Sequence, residues 1–202
     1  AASRDSEFNP SGRFDTRKLL RGLGILLAGD ERSWLYYSPV LYLGFAVFFF
    51  QSFRDRIDPE RRRIIYLILA ITLINIILYG MFGDVWGGWS FGARYLIPSA
   101  SLVAILVAIV LEAKKRNIFV MALFAALALY SIQVNGLGAL TTAAIPPKVE
   151  AQALTEPIPH TYGYNMQFVE KNISSSLVYN IYMFRYMSVY AFWQLCSAFA
   201  FA

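Results

Sequence analysis

Apolar residues in this chain occur in long runs that short polar segments separate. Four of the runs are nearly free of charge and approach the roughly 20 residues that an α-helix needs to cross a bilayer. They cover residues 34–53, 64–82, 95–112 and 118–140. The pattern predicts an all-α polytopic membrane protein in which residues 34–140 form a four-helix transmembrane region.

A shorter apolar stretch precedes this region. It covers residues 19–28, includes Arg21, and is too short for a membrane span. We interpret residues 1–33 as a polar segment followed by an amphipathic interfacial helix, with basic side chains that reach lipid headgroups. Asp15 or Thr16 is expected to cap the start of this helix.

The C-terminal part of the chain is divided into a polar and an apolar segment. Residues 141–175 contain four prolines and are predicted to form a long external loop. Residues 176–202 are mainly apolar and include Arg185, and we predict a fifth membrane helix that either spans the bilayer or lies at its interface. The expected fold is therefore a membrane helical bundle of four to five transmembrane helices with an N-terminal interfacial helix.

The composition supports a membrane protein. Hydrophobic residues make up 57% of the chain and charged residues 15%, whereas soluble proteins carry about 25% charged residues. The net charge of +5 is concentrated beside the apolar runs, which indicates membrane orientation rather than nucleic-acid binding. One cysteine and one histidine exclude an internal disulfide and a His-rich metal site. No metal site is predicted, and metal dependence stays open.

The distribution of lysine and arginine predicts the orientation. Loops 54–63 and 114–116 hold eight of these residues, and loops 83–94 and 141–175 hold three. Because cytoplasmic loops are enriched in positive charge, the first pair is predicted to be cytoplasmic and the second pair to lie outside, most simply at a plasma (inner) membrane. The N-terminal segment would also lie outside despite its six basic residues, since long segments follow the rule poorly.

The loop between the second and third runs contains the strongest candidate site. It combines an acid, four glycines, aromatic side chains and an arginine, and its candidates are Asp84, Trp86, Trp89, Arg94 and Tyr95. A guanidinium at the outer interface can bind two oxygens of a lipid phosphate, and a tyrosine hydroxyl can donate a hydrogen bond to the same phosphate. Tryptophan faces can stack on a sugar or prenyl group. The simpler alternative is an aromatic interface belt, with an Asp84–Arg94 ion pair that closes the loop.

Two stretches resemble a known family. "WGGWSFGARYLIP" (86–98) is similar to a recurring stretch of C-type polytopic membrane glycosyltransferases, which are related to dolichyl-phosphate-mannose-protein mannosyltransferases. "LLRGLGILLAGDERSWLYYSPVLYL" (19–43) is similar to the family pattern of a Leu/Gly-rich helix, a polar turn and an aromatic-Ser-Pro start of a span. The resemblance covers roughly residues 17–115. Ala93 departs from it, because the family pattern has proline before the arginine.

The resemblance implies an enzyme that uses a polyprenyl-phosphate sugar donor and acts on a glycan, lipid or protein acceptor at the outer face. Arg94 would hold the carrier phosphate, and Trp86, Trp89 and Tyr95 would line the groove for the sugar or prenyl group. Such enzymes place their catalytic acid in the first external loop, so this chain is expected to be a C-terminal part that lacks it. Asp84 is a weak candidate for a catalytic carboxylate.

Two other classes of function are alternatives to the enzyme. One is a non-enzymatic integral membrane subunit or lipid-binding scaffold, for which the same aromatic and basic residues would serve as anchors. The other is a transporter, which is disfavoured because charged or broken helices at mid-membrane depth are scarce in the sequence.

Overall fold

The computed structural model describes residues 14–48 and 59–201. Within these residues the chain is helical and has no β-strand, which confirms the prediction of an all-α protein. The α-helices are α1 (Leu19–Leu23), α2 (Trp34–Tyr37), α3 (Tyr42–Phe45), α4 (Pro59–Gly80), α5 (Ile97–Lys114), α6 (Ile118–Leu140), α7 (Lys148–Ala153), α8 (Gly163–Glu170) and α9 (Val189–Phe201). Short 3-10 or π-helical segments occupy Thr16–Lys18, Gly24–Ala28, Pro39–Leu41, Ala46–Phe48, Arg94–Leu96 and Tyr179–Met183.

Three helices in the described part of the chain are long and apolar enough to cross a membrane. They are α4, α5 together with the turn that begins at Arg94, and α6, with 22, 21 and 23 residues. At about 1.5 Å per residue each exceeds the roughly 30 Å of a bilayer core. They correspond to the second, third and fourth predicted spans, and they are compatible with a membrane protein.

Local sequence explains where these helices begin. Pro59 is the first residue of α4, a position at which the missing proline N–H costs nothing. The Oδ1 atom of Asn117 accepts hydrogen bonds from the N–H groups of Phe119 (3.1 Å) and Val120 (3.3 Å) and so caps α6. The helix α4 begins five residues before the predicted span, because arginine is a good helix former and residues 61–63 extend the helix.

The first predicted span, residues 34–53, is not one continuous helix in its described part. The helix α2 ends at Tyr37, and Ser38 has φ −149° and ψ 58°, outside the helical region. Proline disfavours helical geometry in the residue before it, and Pro39 therefore begins a new 3-10 turn. Residues 49–53 lie outside the described residues.

The predicted fifth helix, residues 176–202, is broken as well. A π-helical turn at Tyr179–Met183 is followed by a non-helical connection, and α9 begins only at Val189. The N–H of Val189 donates to Oδ1 of Asn172 (2.8 Å), so a side chain from a preceding turn caps the helix. The helix α9 has 13 residues, fewer than the roughly 20 of a straight span.

The N-terminal helix consists of the turn Thr16–Lys18, α1 and the turn Gly24–Ala28. It packs into the bundle instead of lying apart from it. Asp15 caps its start, since Oδ1 accepts a hydrogen bond from the N–H of Arg17 (2.9 Å), and this predicted cap is confirmed. The following π-helical turn buries Leu26 in a core that includes Ile76 of α4 and Leu96 ahead of α5. The helix therefore holds a fixed position beside the loop that follows α4.

The loops that follow α4 and α6 meet at one end of the bundle, which we call the loop end (residues 29–33, 81–93 and 141–163). The N–H of Ser90 donates to the carbonyl oxygen of Ile145 (3.1 Å), which joins the two loops directly. The turn at residues 115–117 joins the other ends of α5 and α6. The two loops predicted to lie outside are therefore on the same side of the helices.

Candidate functional site

The glycine-rich loop between α4 and α5 is held in a tight turn by Asp84. Its Oδ1 accepts a hydrogen bond from the N–H of Gly87 (3.1 Å). Gly87 and Gly88 have φ of 72° and 66°, a backbone conformation that glycine adopts without steric cost. The hydroxyl of Ser90 donates to the carbonyl oxygen of Trp86 (3.0 Å). One carboxylate oxygen of Asp84 thus serves the turn, which leaves its catalytic role a weak hypothesis.

Trp86 is fixed between two residues of the N-terminal segment. Its indole N–H donates to Oε2 of Glu31 (2.5 Å). The guanidinium carbon of Arg21 lies 5.5 Å from the centroid of the Trp86 ring, within the range of a cation–π contact. The hydrogen bond sets the plane of the ring, and one ring face is turned towards a cation.

Trp89 is directed to a different part of the loop end. Its indole N–H donates to Oε2 of Glu150 in α7 (2.6 Å), and 46% of the residue is exposed. Within the described part of the chain, no ring contact joins Trp89 to Trp86. The structure therefore does not bring the two predicted tryptophans together in one stacked surface.

Arg94 and Tyr95 lie side by side at the start of α5. Arg94 is exposed, and its guanidinium carbon lies 5.3 Å from the centroid of the Tyr95 ring. Tyr95 in turn stacks on Tyr79 of α4, with ring centroids 4.5 Å apart and an angle of 5° between the planes. A Cβ atom on Gly87 would lie only 2.8 Å from Nε of Arg94. The arginine side chain is therefore held along the loop backbone next to Trp86.

No ion pair connects Asp84 with Arg94 among the residues that the structure describes. At the loop end, Nε2 of His160 instead lies within hydrogen-bond distance of Oδ2 of Asp30 (3.2 Å). The alternative in which an Asp84–Arg94 pair closes the loop is therefore wrong. The hydrogen bond of Asp84 to the Gly87 backbone and the close packing of Arg94 on Gly87 take its place.

Arg32 is the main residue of the loop end that the sequence analysis missed. Its side chain is fully buried. Nη2 donates to the carbonyl oxygen of Ile145 (2.7 Å), and Nη1 donates to the carbonyl oxygens of Glu31 (2.7 Å) and His160 (3.5 Å). Burial lowers the pKa of the Arg32 guanidinium. The polar stretch "GDER" around it resembles an ordinary turn, and no local signal separates a buried from an exposed arginine there.

The acidic side chains of the loop end are dispersed. Glu31 accepts from Trp86, Glu150 accepts from Trp89, and Asp30 pairs with His160. In residues 14–48 and 59–201, no three His, Cys, Asp or Glu side chains come together as potential metal ligands. Each of these acids instead fixes another side chain.

A cavity of about 160 Å³ lies between the N-terminal helix and the start of the glycine-rich loop. Lys18 and Arg21 line it on the helix side, and Phe82, Gly83 and Trp86 line it on the loop side. The sequence predicts only general headgroup contacts for these two basic residues. The structure places both at one concave surface beside Trp86.

No protein-family model, curated protein or solved structure matches this chain.

Proposed function

We propose that this chain is the transmembrane part of a membrane glycosyltransferase, which moves a sugar from a polyprenyl-phosphate donor to an acceptor on the outer face. In this proposal four to five membrane segments anchor the protein in a plasma membrane. The loop end faces outwards, and the basic ends at residues 54–63 and 114–116 face the cytoplasm.

One observation carries the proposal. The two stretches that resemble the family, residues 19–43 and 86–98, contact each other at the loop end. Trp86 contacts both Glu31 and Arg21, and the ring of Phe91 lies 4.9 Å from that of Tyr37. Stretches that are far apart in the sequence therefore form one surface, as expected if they serve one ligand.

Arg94 is the residue we assign to the carrier phosphate. It is exposed at the end of a long apolar helix, has no carboxylate partner within the described residues, and is positioned by Gly87 and Tyr95. A guanidinium in this setting can donate to two phosphate oxygens. The exposed ring of Trp89 offers a stacking surface for the sugar, and that of Trp86 lies nearer the basic N-terminal helix.

The experiment that tests this function is transfer from a lipid-linked sugar in membranes that contain the whole protein. We expect Arg94→Ala to reduce the transfer rate on the order of 100-fold, as loss of a directed charged donor does in other active sites. Arg94→Lys should retain part of the activity, because lysine keeps the charge but not the planar fork.

The matched control is Arg116→Ala at the opposite end of α5, where arginine is also exposed. It should leave transfer and membrane insertion unchanged. Unchanged transfer in Arg94→Ala would reject the assigned role of Arg94. No transfer by the wild-type protein from any lipid-linked sugar would instead favour the non-enzymatic subunit or lipid-binding scaffold.

A further inference from the structure

The cavity beside Trp86 is built by an unusually close helix contact. Gly22 of α1 packs on Gly80 at the end of α4, and a Cβ atom on Gly22 would lie 2.0 Å from the Gly80 carbonyl oxygen. The N–H of Asp15 also donates to the carbonyl oxygen of Met81 (2.9 Å). These contacts fix the basic turn of the N-terminal helix directly against the loop that follows α4.

The charge of this cavity is entirely positive. Lys18 and Arg21 are the ionisable residues that line it, and no carboxylate is among its lining residues. Neither side chain forms an ion pair in the part of the chain that the structure describes. Arg21 stacks on Trp86 instead, and a ring contact of this kind leaves the edge of the guanidinium, with its N–H donors, available to an anion.

The size and position of the cavity indicate the kind of anion. A volume of about 160 Å³ corresponds to roughly five water molecules at about 30 Å³ each, enough for a phosphate group and the first atoms of its ester. The cavity lies where α4, an apolar helix of 22 residues, ends. If α4 spans a bilayer, this is the level of the lipid headgroups.

We propose that the cavity between Lys18, Arg21 and Trp86 binds the phosphate group of a membrane lipid. The two cations hold the phosphate oxygens, and the acyl or prenyl chain continues along the apolar surface of α4. This inference goes beyond the proposed function, because Arg94 does not line the cavity and binding of a lipid phosphate requires neither a sugar donor nor an acceptor.

The test measures lipid binding by the whole protein in dodecyl maltoside micelles, which contain no phosphate. Phosphatidate is titrated and its adducts are counted by native mass spectrometry, and a parallel titration uses inorganic phosphate. We expect the Lys18→Gln/Arg21→Gln variant to bind phosphatidate on the order of 100-fold more weakly than wild type, since two charged hydrogen bonds are lost and each contributes about 1.5 kcal/mol. Inorganic phosphate should neither bind tightly nor compete.

Two further variants make the result specific. Arg17→Gln removes one positive charge from the same N-terminal helix, but Arg17 does not line the cavity, and phosphatidate binding by this variant should equal that of wild type. Lys18→Arg/Arg21→Lys keeps both cations and should retain most of the binding, which separates a loss of ligand contact from a loss of folding.

Three results would overturn the proposal. They are unchanged phosphatidate binding in the double glutamine variant, an equal loss in Arg17→Gln, and binding of inorganic phosphate as tight as that of phosphatidate. The last result would assign the cavity to a free anion. Because no sugar transfer is measured, none of these results decides whether the protein is a glycosyltransferase, and a failed transfer assay would not affect this test.

Discussion

The two ends of the helical bundle use the same residue type in different ways. At the turn between α5 and α6, Lys115 and Arg116 are exposed. At the loop end, Arg32 is fully buried and donates to two backbone carbonyls of the loop that follows α6. Exposed charge at the turn suits the orientation of a membrane protein, whereas a buried guanidinium fixes loops in one arrangement.

This difference indicates which end of the bundle has a surface with fixed side-chain positions. A short exposed turn needs only a helix cap, which Asn117 provides. The loop end instead combines positive-φ glycines, a buried arginine and two tryptophans with hydrogen-bonded indole groups. Such a network is expected around a binding site, where side chains must hold fixed positions.

The largest expected difference in stability is between two Arg→Lys variants, one at each end of the bundle. Arg32→Lys cannot reach two carbonyl oxygens with a planar fork, and it leaves buried polar groups without partners. We expect the free energy of unfolding to fall by about 2–3 kcal/mol, which corresponds to a fall in Tm of roughly 5–10 °C. Arg116→Lys, at the exposed turn, should change stability by less than about 0.5 kcal/mol. Thermal unfolding of both variants in the same detergent makes the comparison.

Limited proteolysis of the same two proteins sharpens the result. Loosened contacts at Ile145 and His160 should expose residues 141–163 to cleavage in Arg32→Lys only. Equal Tm values and equal cleavage would contradict the role assigned to the buried guanidinium and would make the two ends equivalent.

A second, smaller effect is expected within the N-terminal helix. Gly22→Ala places a methyl group 2.0 Å from the Gly80 carbonyl oxygen, so α1 must shift, at a cost of about 1–3 kcal/mol. Gly24→Ala, two residues further on, meets no atom within 4 Å and should be neutral or slightly stabilising. Thermal unfolding measures both changes, and a destabilisation of the same size in both variants would show that the close contact with α4 is not the cause.

The helices could be predicted from the sequence where they depend on local signals. The helix predicted over residues 118–140 is confirmed at both ends, because its apolar run is long and Asn117 precedes it as a cap. The break before α9 was missed, although Ser188 is a cap residue whose Oγ accepts from the N–H of Ala191 (3.2 Å). A continuous apolar pattern concealed it, and Asn172, which completes the cap, is 17 positions away.

The candidate site could be predicted only in part for a related reason. The loop 83–94 contains its own turn residues, and the sequence located it correctly as a structured loop. The burial of Arg32 depends on carbonyl groups 113 and 128 positions away, and the cavity depends on contact between Gly22 and Gly80. Main-chain acceptors and glycine contacts of this kind have no side-chain signature in a single sequence.

The smallest expected difference separates the two tryptophans. Trp86→Phe removes the half-buried indole N–H that donates to Glu31, and we expect the free energy of unfolding to fall by about 1 kcal/mol. Trp89→Phe removes the indole N–H that donates to Glu150 at an exposed site. Water replaces this donor there, so the free energy of unfolding should fall by less than about 0.5 kcal/mol. Both variants replace the indole by the same smaller aromatic ring, so thermal unfolding compares the same chemical change at the two sites. A larger loss in Trp89→Phe would mean that the contact between the glycine-rich loop and α7, rather than its contact with the N-terminal segment, holds the loop end together.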